Sequence, residues 1–308
     1  MDKRHLFSRA LLFVAMVLLL GVAQARANVF SDFNEKEQQL YQNAIHFMDN
    51  GMVDTGIDLL KGLDKAHPSN WAVVHEIVYG YIVKQDYEEA YQWAKKLLKL
   101  KDAGADSYVI AGNAFDHVGK RKEAIEIYEK GLKKFPNSVR LWVEKGNMAY
   151  MMKNYDESVG CYEHAIDVDP NYDASYYRLA NLYAMSTDPV WAVMYAQNYQ
   201  LQASKYERLM EMGKLIYDLY RENVTRKDGK WEVTFTKKVN LSAYASLDCD
   251  LPYNGFFYYT HKVVLDEGGF AGDTLTLADV ARLHRKYVEI ADTTAHDYYN
   301  VPVLDMER

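Results

Sequence analysis

The 308-residue sequence has few of the residues that interrupt or cross-link a chain: six prolines, 17 glycines and two cysteines. So little proline and glycine excludes collagen-like and low-complexity chains, and a composition that is 49% hydrophobic excludes broad intrinsic disorder. Cys161 and Cys249 cannot form a disulfide framework, and they lack the paired short spacings of a structural zinc site. They form at most one bridge, and two unpaired thiols are the alternative.

The sequence also lacks concentrated positive charge and recognisable catalytic motifs. It carries 36 basic and 43 acidic residues, and no cluster of Lys and Arg forms a stripe that could follow a phosphate backbone. We therefore expect no nucleic-acid partner. A Gly-x-Ser-x-Gly elbow, a phosphate-binding glycine loop and a dinucleotide fingerprint are all missing from the sequence. We expect a protein that is not an enzyme and that uses no cofactor.

The first 27 residues have the three-part pattern of a secretory signal peptide. Lys3, Arg4 and Arg9 precede an apolar run that begins at Ala10, and small residues follow at positions suited to cleavage. The run is about 14 residues long, shorter than the ~20 that span a bilayer, and no later run has spanning length. We expect residues 1–27 to be removed during export to a periplasm, a cell surface or the medium, with a retained anchor helix as the alternative.

An internal period of 34 residues runs through most of the remaining chain. Five blocks follow one another without insertion and start at Glu37, Trp71, Ala105, Val139 and Asp173. Positions 4 and 11 of the blocks are mostly large and apolar, whereas positions 8 and 20 are mostly small. Proline stands at position 32 of three blocks. This pattern describes pairs of packed antiparallel helices whose backbones approach at the small residues and whose second helix ends at the proline.

In spacing and residue type the blocks resemble the tetratricopeptide repeat (TPR) family, most closely between Ala105 and Pro170. The resemblance implies a mainly α fold, a right-handed TPR α-solenoid of five 34-residue helix-turn-helix repeats. We expect the solenoid over residues 33–225. It includes a final helix, Lys205 to Asn223, that caps the apolar face of the last repeat.

The resemblance also implies where a partner binds. In this family the first helices of successive repeats line a concave groove, and a peptide-binding role follows for the residues that face it here. They include a ladder of amides, which can hold a peptide main chain because an amide both donates and accepts: Asn113, Asn147 and Asn181. The other groove residues are Tyr41, His75, Tyr79, Val109, Asp116, Arg140, Tyr150 and Tyr177.

Residues 228–308 follow another pattern and resemble no family that we recognise. Asp228-Gly229 predicts a turn, and alternation from Trp231 to Phe235 predicts a strand. The aromatic and β-branched run from Phe256 to Leu265 predicts a second strand, and Thr276 with Asp279 predicts the start of a helix that continues to about Ala291. We expect a small α+β unit that packs against the last repeat helix.

Two classes of function remain open. The first is an exported, non-enzymatic scaffold that binds an extended protein segment in the groove. The second is a C-terminal unit that binds a glycan or small ligand, or is catalytic, with the aromatic run Phe256-Phe257-Tyr258-Tyr259 as the stacking surface. Self-association through repeat ends is a third hypothesis. His261, His284 and His296 lack the spacing of metal ligands, so we expect no metal site.

Overall fold

The computed structural model of the protein describes residue 30 and residues 32–203, 205–235, 253–270 and 272–294. In these ranges the elements are, in order, α1 (Glu35–Asp49), α2 (Val53–Ala66), α3 (Trp71–Val83), α4 (Tyr87–Leu97), α5 (Ala105–His117), α6 (Arg121–Lys134), α7 (Val139–Met151), α8 (Tyr155–Val168), α9 (Asp173–Ala184), α10 (Val190–Gln202), α11 (Tyr206–Asn223), β1 (Val224–Lys227), β2 (Lys230–Val233), α12 (Tyr253–Asp266) and α13 (Leu277–Thr294). The predicted signal peptide, Cys249 and His296 lie outside the described residues.

The predicted repeat is confirmed as a series of helix pairs. Helices α3, α5, α7 and α9 begin at Trp71, Ala105, Val139 and Asp173, the residues at which four of the five blocks were expected to start. Helix α1 begins two residues before the predicted Glu37, because Asn34 caps it by accepting a hydrogen bond from the backbone N–H of residue 37 (3.0 Å). Within repeats, α1 packs on α2, α3 on α4, α5 on α6, and α9 on α10.

Contacts between Cα atoms divide the chain into two compact units, Met1–Met148 and Ala149–Arg308. The first unit has a core to which α1 to α7 contribute. The second unit has a core that joins α10 and α11 to the hairpin and to α12 and α13. Helix α10 contributes because it is buried on every side, at residue 190 and residues 192–199. The expectation that the C-terminal segment packs on the last repeat is thus confirmed.

Small residues stand where the two helices of a repeat come closest. At position 20, Ala90, Ala124, Ser158 and Ala192 are completely buried. At position 8, a Cβ added to Gly112 would lie 2.2 Å from Cε1 of Tyr128, on the second helix of the same repeat. This approach leaves no room for a larger side chain, which explains the small residues seen in the sequence.

The turn between the two helices requires a left-handed backbone at position 15 of each of the first four repeats. Gly51 and Gly119 adopt a φ of +81° and +80°, and Gln85 and Lys153 adopt a φ of 64° and 61°. Glycine takes this conformation without strain, whereas other residues take it at a cost. The fifth repeat departs from the rule. Its turn contains Pro189, and α10 begins one residue later than the period requires.

Hydrogen bonds and ion pairs about one period apart join neighbouring repeats. Lys96 binds both carboxylate oxygens of the buried Asp64 at 2.5 and 2.6 Å, across 32 residues. In the second unit the Tyr195 hydroxyl donates to Glu163 at 3.1 Å, also across 32 residues. These contacts supplement the apolar packing, and they fix the side chains of adjacent repeats at defined positions.

The predicted turn and the strand that follows it are confirmed, and the second predicted strand is wrong. Strands β1 and β2 pair in antiparallel register around Asp228-Gly229, both of which have positive φ. Residues 256–265, expected as a strand, lie in helix α12. Six side chains there are buried at helical spacing, which shows that packing has overridden β propensity: Phe256, Phe257, Thr260, His261, Val264 and Leu265.

Two histidines lie in or beside the core of the second unit: His261 is fully buried and His284 is partly buried. His261 Nδ1 lies 2.7 Å from the Phe257 carbonyl oxygen, which can only accept, so Nδ1 carries a proton and Nε2 accepts from the Tyr220 hydroxyl at 2.8 Å. Burial lowers the pKa of His261 to about 3 and also lowers the pKa of His284. The amide nitrogen of Gln197 lies 3.0 Å from His284 Nδ1. Both rings are therefore neutral at pH 7.

Gly112→Ala is expected to lower the free energy of unfolding by roughly 1–3 kcal/mol, because the new methyl group overlaps the Tyr128 ring. Gly62→Ala is the matched control. Gly62 lies in α2 with nothing within 4 Å of an added Cβ, and alanine there favours the helix by roughly 0.5–1 kcal/mol. Urea unfolding followed by circular dichroism measures both. If Gly112→Ala were as stable as the original protein, as Gly62→Ala is expected to be or better, the close approach at position 8 would be contradicted.

Acid is expected to weaken the C-terminal helices. His261 and His284 both have lowered pKa values in the folded unit, so as the pH falls below about 6.5 the unfolded unit takes up protons before the folded unit does. Each ring then removes up to ~1.4 kcal/mol of stability per pH unit as the pH falls. Hydrogen exchange of α12 and α13, corrected for intrinsic rates, should show protection falling from pH 7 to pH 5. His284→Gln should make the fall in protection less steep, whereas His46→Gln, at an exposed position, should leave it unchanged. Equal slopes in all three proteins would refute this assignment.

Candidate functional site

A cleft of about 360 Å³ lies on the first helices of three successive repeats in the first unit. Five of the residues expected to bind a partner line it, contributed by α3, α5 and α7: His75, Tyr79, Val109, Asn113 and Arg140. Glu76, Ile82 and Ile110 complete the lining. Every lining residue thus comes from a first helix, which is the face implied by the family resemblance.

The cleft combines an apolar floor with an exposed aromatic ring. Val109 and Ile110 are buried and form its base, whereas 42% of Tyr79 is exposed. A ring held on a helix with this much free surface can cover an apolar group of a ligand at little entropic cost, because tyrosine has only two side-chain torsions. Tyr79 is therefore the most exposed apolar side chain in the lining of this cleft.

Asn113 supplies an oriented donor. Its carbonyl oxygen accepts a hydrogen bond from the Tyr128 hydroxyl at 2.6 Å. Burial, followed by the nearby carboxylates of Glu144 and Asp116, raises the pKa of Tyr128, so its hydroxyl keeps its proton. Because the oxygen is engaged, the amide nitrogen of Asn113 remains for an acceptor such as a peptide carbonyl.

Charges in and beside the cleft are mostly compensated. Arg140 pairs with Asp106 at 2.8 Å, and Asp116 accepts from Arg121 at 3.0 Å. Glu76 Oε1 lies 3.2 Å from His75 Nδ1. Burial and the Glu76 carboxylate together raise the pKa of Tyr41, whose side chain is half-buried and does not line the cleft. The cleft is therefore suited to a ligand held by apolar contacts and main-chain hydrogen bonds.

The three asparagines of the predicted ladder do not present the same group. Asn147 donates to Glu144 at 3.0 Å, and Asn181 in the second unit donates to the Tyr177 carbonyl at 2.8 Å, whereas Asn113 accepts. Tyr177 is held by Glu211, which accepts from its hydroxyl at 2.9 Å. Tyr150 is 41% exposed in the second unit. Equivalent positions in the repeat therefore differ in their hydrogen-bonding role.

A second cleft, of about 400 Å³, lies in the second unit at the turn of the fifth repeat. Sequence reasoning did not predict it. Its lining comes from the start of α8, the end of α9 and the following turn: Tyr155, Asp156, Val159, Leu182, Tyr183, Met185 and Ser186. Two signals in the sequence could have located it, namely the methionines in successive turns and the break in the period at Pro189.

Two residues of the aromatic run that was expected as a glycan surface are not available for stacking on a ligand. Phe256 and Phe257 are buried in the core of the second unit, and the ring of Phe257 stacks on His261 at 3.9 Å between centroids. Among the described residues no group of three or more potential ligands is arranged to hold a metal ion. Cys161 is buried in the second unit. No described helix is long and apolar enough to cross a bilayer.

Two family models match the repeat region. Residues 105–137 match the tetratricopeptide repeat and residues 146–186 match the TPR repeat. Tetratricopeptide repeat protein 8 of Caenorhabditis elegans is 24% identical over 160 residues, which are 46% of this chain and 29% of that protein. The chain therefore spans less than a third of the length of this curated relative.

Solved structures share the fold of the repeat region at low identity. The Pseudomonas aeruginosa pilF structure has a TM-score of 0.53 at 14% identity and covers 60% of this chain and 85% of its own. The thermophilic TPR protein TTC0263 of Thermus thermophilus has a TM-score of 0.51 at 14% identity, and the match covers 58% of this chain and 98% of that protein's chain. PilW, described as a widely conserved type IV pilus biogenesis factor, has a TM-score of 0.51 at 15% identity, and the match covers 59% of this chain and 87% of the PilW chain.

Proposed function

Because the chain contains tetratricopeptide repeats, we propose that it is an exported, non-enzymatic scaffold that binds an extended segment of a protein partner. One observation carries the proposal. The cleft of the first unit is lined wholly by first helices of three successive repeats. A ligand that follows such a face is extended, because the repeats offer equivalent positions at regular intervals.

The chemistry of the cleft supports a peptide more than a small charged metabolite. Val109 and Ile110 receive an apolar side chain, Tyr79 covers it, and the Asn113 amide donates to a main-chain carbonyl. Arg140 is already paired with Asp106, so an anion would have to compete with a carboxylate. Apolar anchoring with few polar contacts is how protein interfaces obtain most of their binding energy.

Export is the second component of the proposal, and the sequence of residues 1–27 supports it. The basic start, the short apolar run and the small residues before Asn28 have the arrangement that secretion signals require. A scaffold in the periplasm or on a cell surface meets its partner in the envelope, so partner capture belongs in that fraction.

Tyr79→Ala is expected to reduce capture of the partner from the envelope fraction at least tenfold, since removing a central aromatic anchor costs ~2 kcal/mol or more of binding energy. Tyr206→Ala is the matched control, because Tyr206 is 74% exposed on α11 and lines neither cleft. Quantitative mass spectrometry of captured proteins measures both, with circular dichroism as the check on folding. The groove proposal fails if both variants capture the same proteins as the original chain.

Leu19→Arg is expected to block export, because a charge in the apolar run prevents its insertion. The original protein should be recovered outside the cytoplasm with its first residue near Asn28. The variant should stay inside with residues 1–27 attached, and Met16→Leu should be processed normally. N-terminal sequencing of the protein recovered from inside and outside the cytoplasm distinguishes these outcomes. Recovery of the original protein in the cytoplasm with an intact first segment would contradict export.

A further inference from the structure

The cleft of the second unit differs in character from the cleft of the first unit. Its walls are the exposed rings and thioethers of two successive turns: Tyr155 is 47% exposed and Met185 is 64% exposed, while Leu182 is buried beneath them. Nearby, Met151 and Met152 are 46% and 54% exposed. Such a concentration of large apolar side chains at one surface indicates an interaction site, and methionine suits it because its side chain adapts to different shapes.

The same cleft is electrically negative. Asp156 lines it, and among the described residues no hydrogen bond or ion pair engages this carboxylate. Burial, followed by the carboxylates of Glu163, Asp188 and Asp156, raises the pKa of Tyr183 to about 12. No described residue of the lining is basic. The charge of a ligand is therefore constrained: an anion would be repelled and a cation attracted.

The Tyr183 ring is held in place and stays neutral. It stacks on the ring of Tyr195 at 5.7 Å between centroids with an interplanar angle of 18°, and Trp191 lies 6.4 Å away. Tyr195 is fixed in turn because its hydroxyl donates to Glu163 at 3.1 Å. Aromatic faces attract cations, and an adjacent carboxylate increases the attraction. The cleft thus offers rings, a carboxylate and an apolar wall together.

We propose that this cleft binds a basic side chain, lysine or arginine, carried on an apolar segment of a protein partner. The charged group lies at Asp156 and the ring of Tyr155 or Tyr183, and its methylene stem lies along Val159 and Met185. A long basic side chain fits because its stem is apolar and only its tip is charged. This inference is independent of the proposed groove, since no residue of the first cleft takes part in it.

The test is a titration with two synthetic peptides, acetyl-Ala-Leu-Lys-Leu-Lys-Leu-Ala-amide and its counterpart with norleucine in place of both lysines. The protein is the full chain with ¹³C-labelled methionine methyl groups. We expect the lysine peptide to shift the Met185 methyl resonance and to bind at least fivefold more tightly than the norleucine peptide. The preference should shrink as salt is raised.

Asp156→Asn is expected to remove that preference, with at least a fivefold loss of affinity for the lysine peptide. Glu157→Gln is the matched control: it removes the same charge from the same first turn of α8 but does not line the cleft. Equal binding of the two peptides would overturn the proposal by showing apolar docking alone. Equal effects of the two substitutions would overturn it as well. A shift of the Met185 methyl resonance when the protein is concentrated without peptide would also overturn the proposal, because the occupant would then be a second copy of the chain.

Discussion

The structure of the repeat region depends on how closely the two helices of each repeat approach. At Gly112 the distance leaves no space even for a methyl group, and the equivalent residues of the other repeats are small or fully buried. Close approach fixes the pairing of the helices, and the 34-residue period then places the same position of each first helix on the same face. The first cleft follows from this constraint, because α3 and α5 supply residues at the same positions of their repeats and the first helix of the next repeat, α7, adds Arg140.

Structure was predictable from the sequence where a pattern repeats, and it was not predictable in a segment whose composition occurs only once. Five aligned copies made the helix starts at Trp71 and Ala105 predictable to the residue. The segment 256–265 had only its composition, which favours strands, and it forms a helix because its buried side chains recur at helical spacing. Local signals were reliable in the same region: the Asp228-Gly229 turn formed, and Thr276 and Asp279 exchange the hydrogen bonds of a helix start.

The candidate sites show the same division. The family resemblance indicated five of the eight residues that line the first cleft, and the structure brings these five together in the first unit. It could not indicate that Asn113 accepts while Asn147 donates, because that depends on the neighbours Tyr128 and Glu144. The second cleft could not be inferred from the repeat pattern, since it lies where the fifth repeat departs from the period.

The proposed function requires that a partner binds at the first-helix face. Photo-cross-linking in the native envelope tests this requirement, with a benzoylphenylalanine at position 79 on α3 or at position 88 on α4. Both positions are exposed and belong to the same repeat. We predict that position 79 yields a cross-link to one extended segment of a partner and that position 88 yields none. Cross-links of equal yield at the two positions, or at position 88 alone, would contradict it.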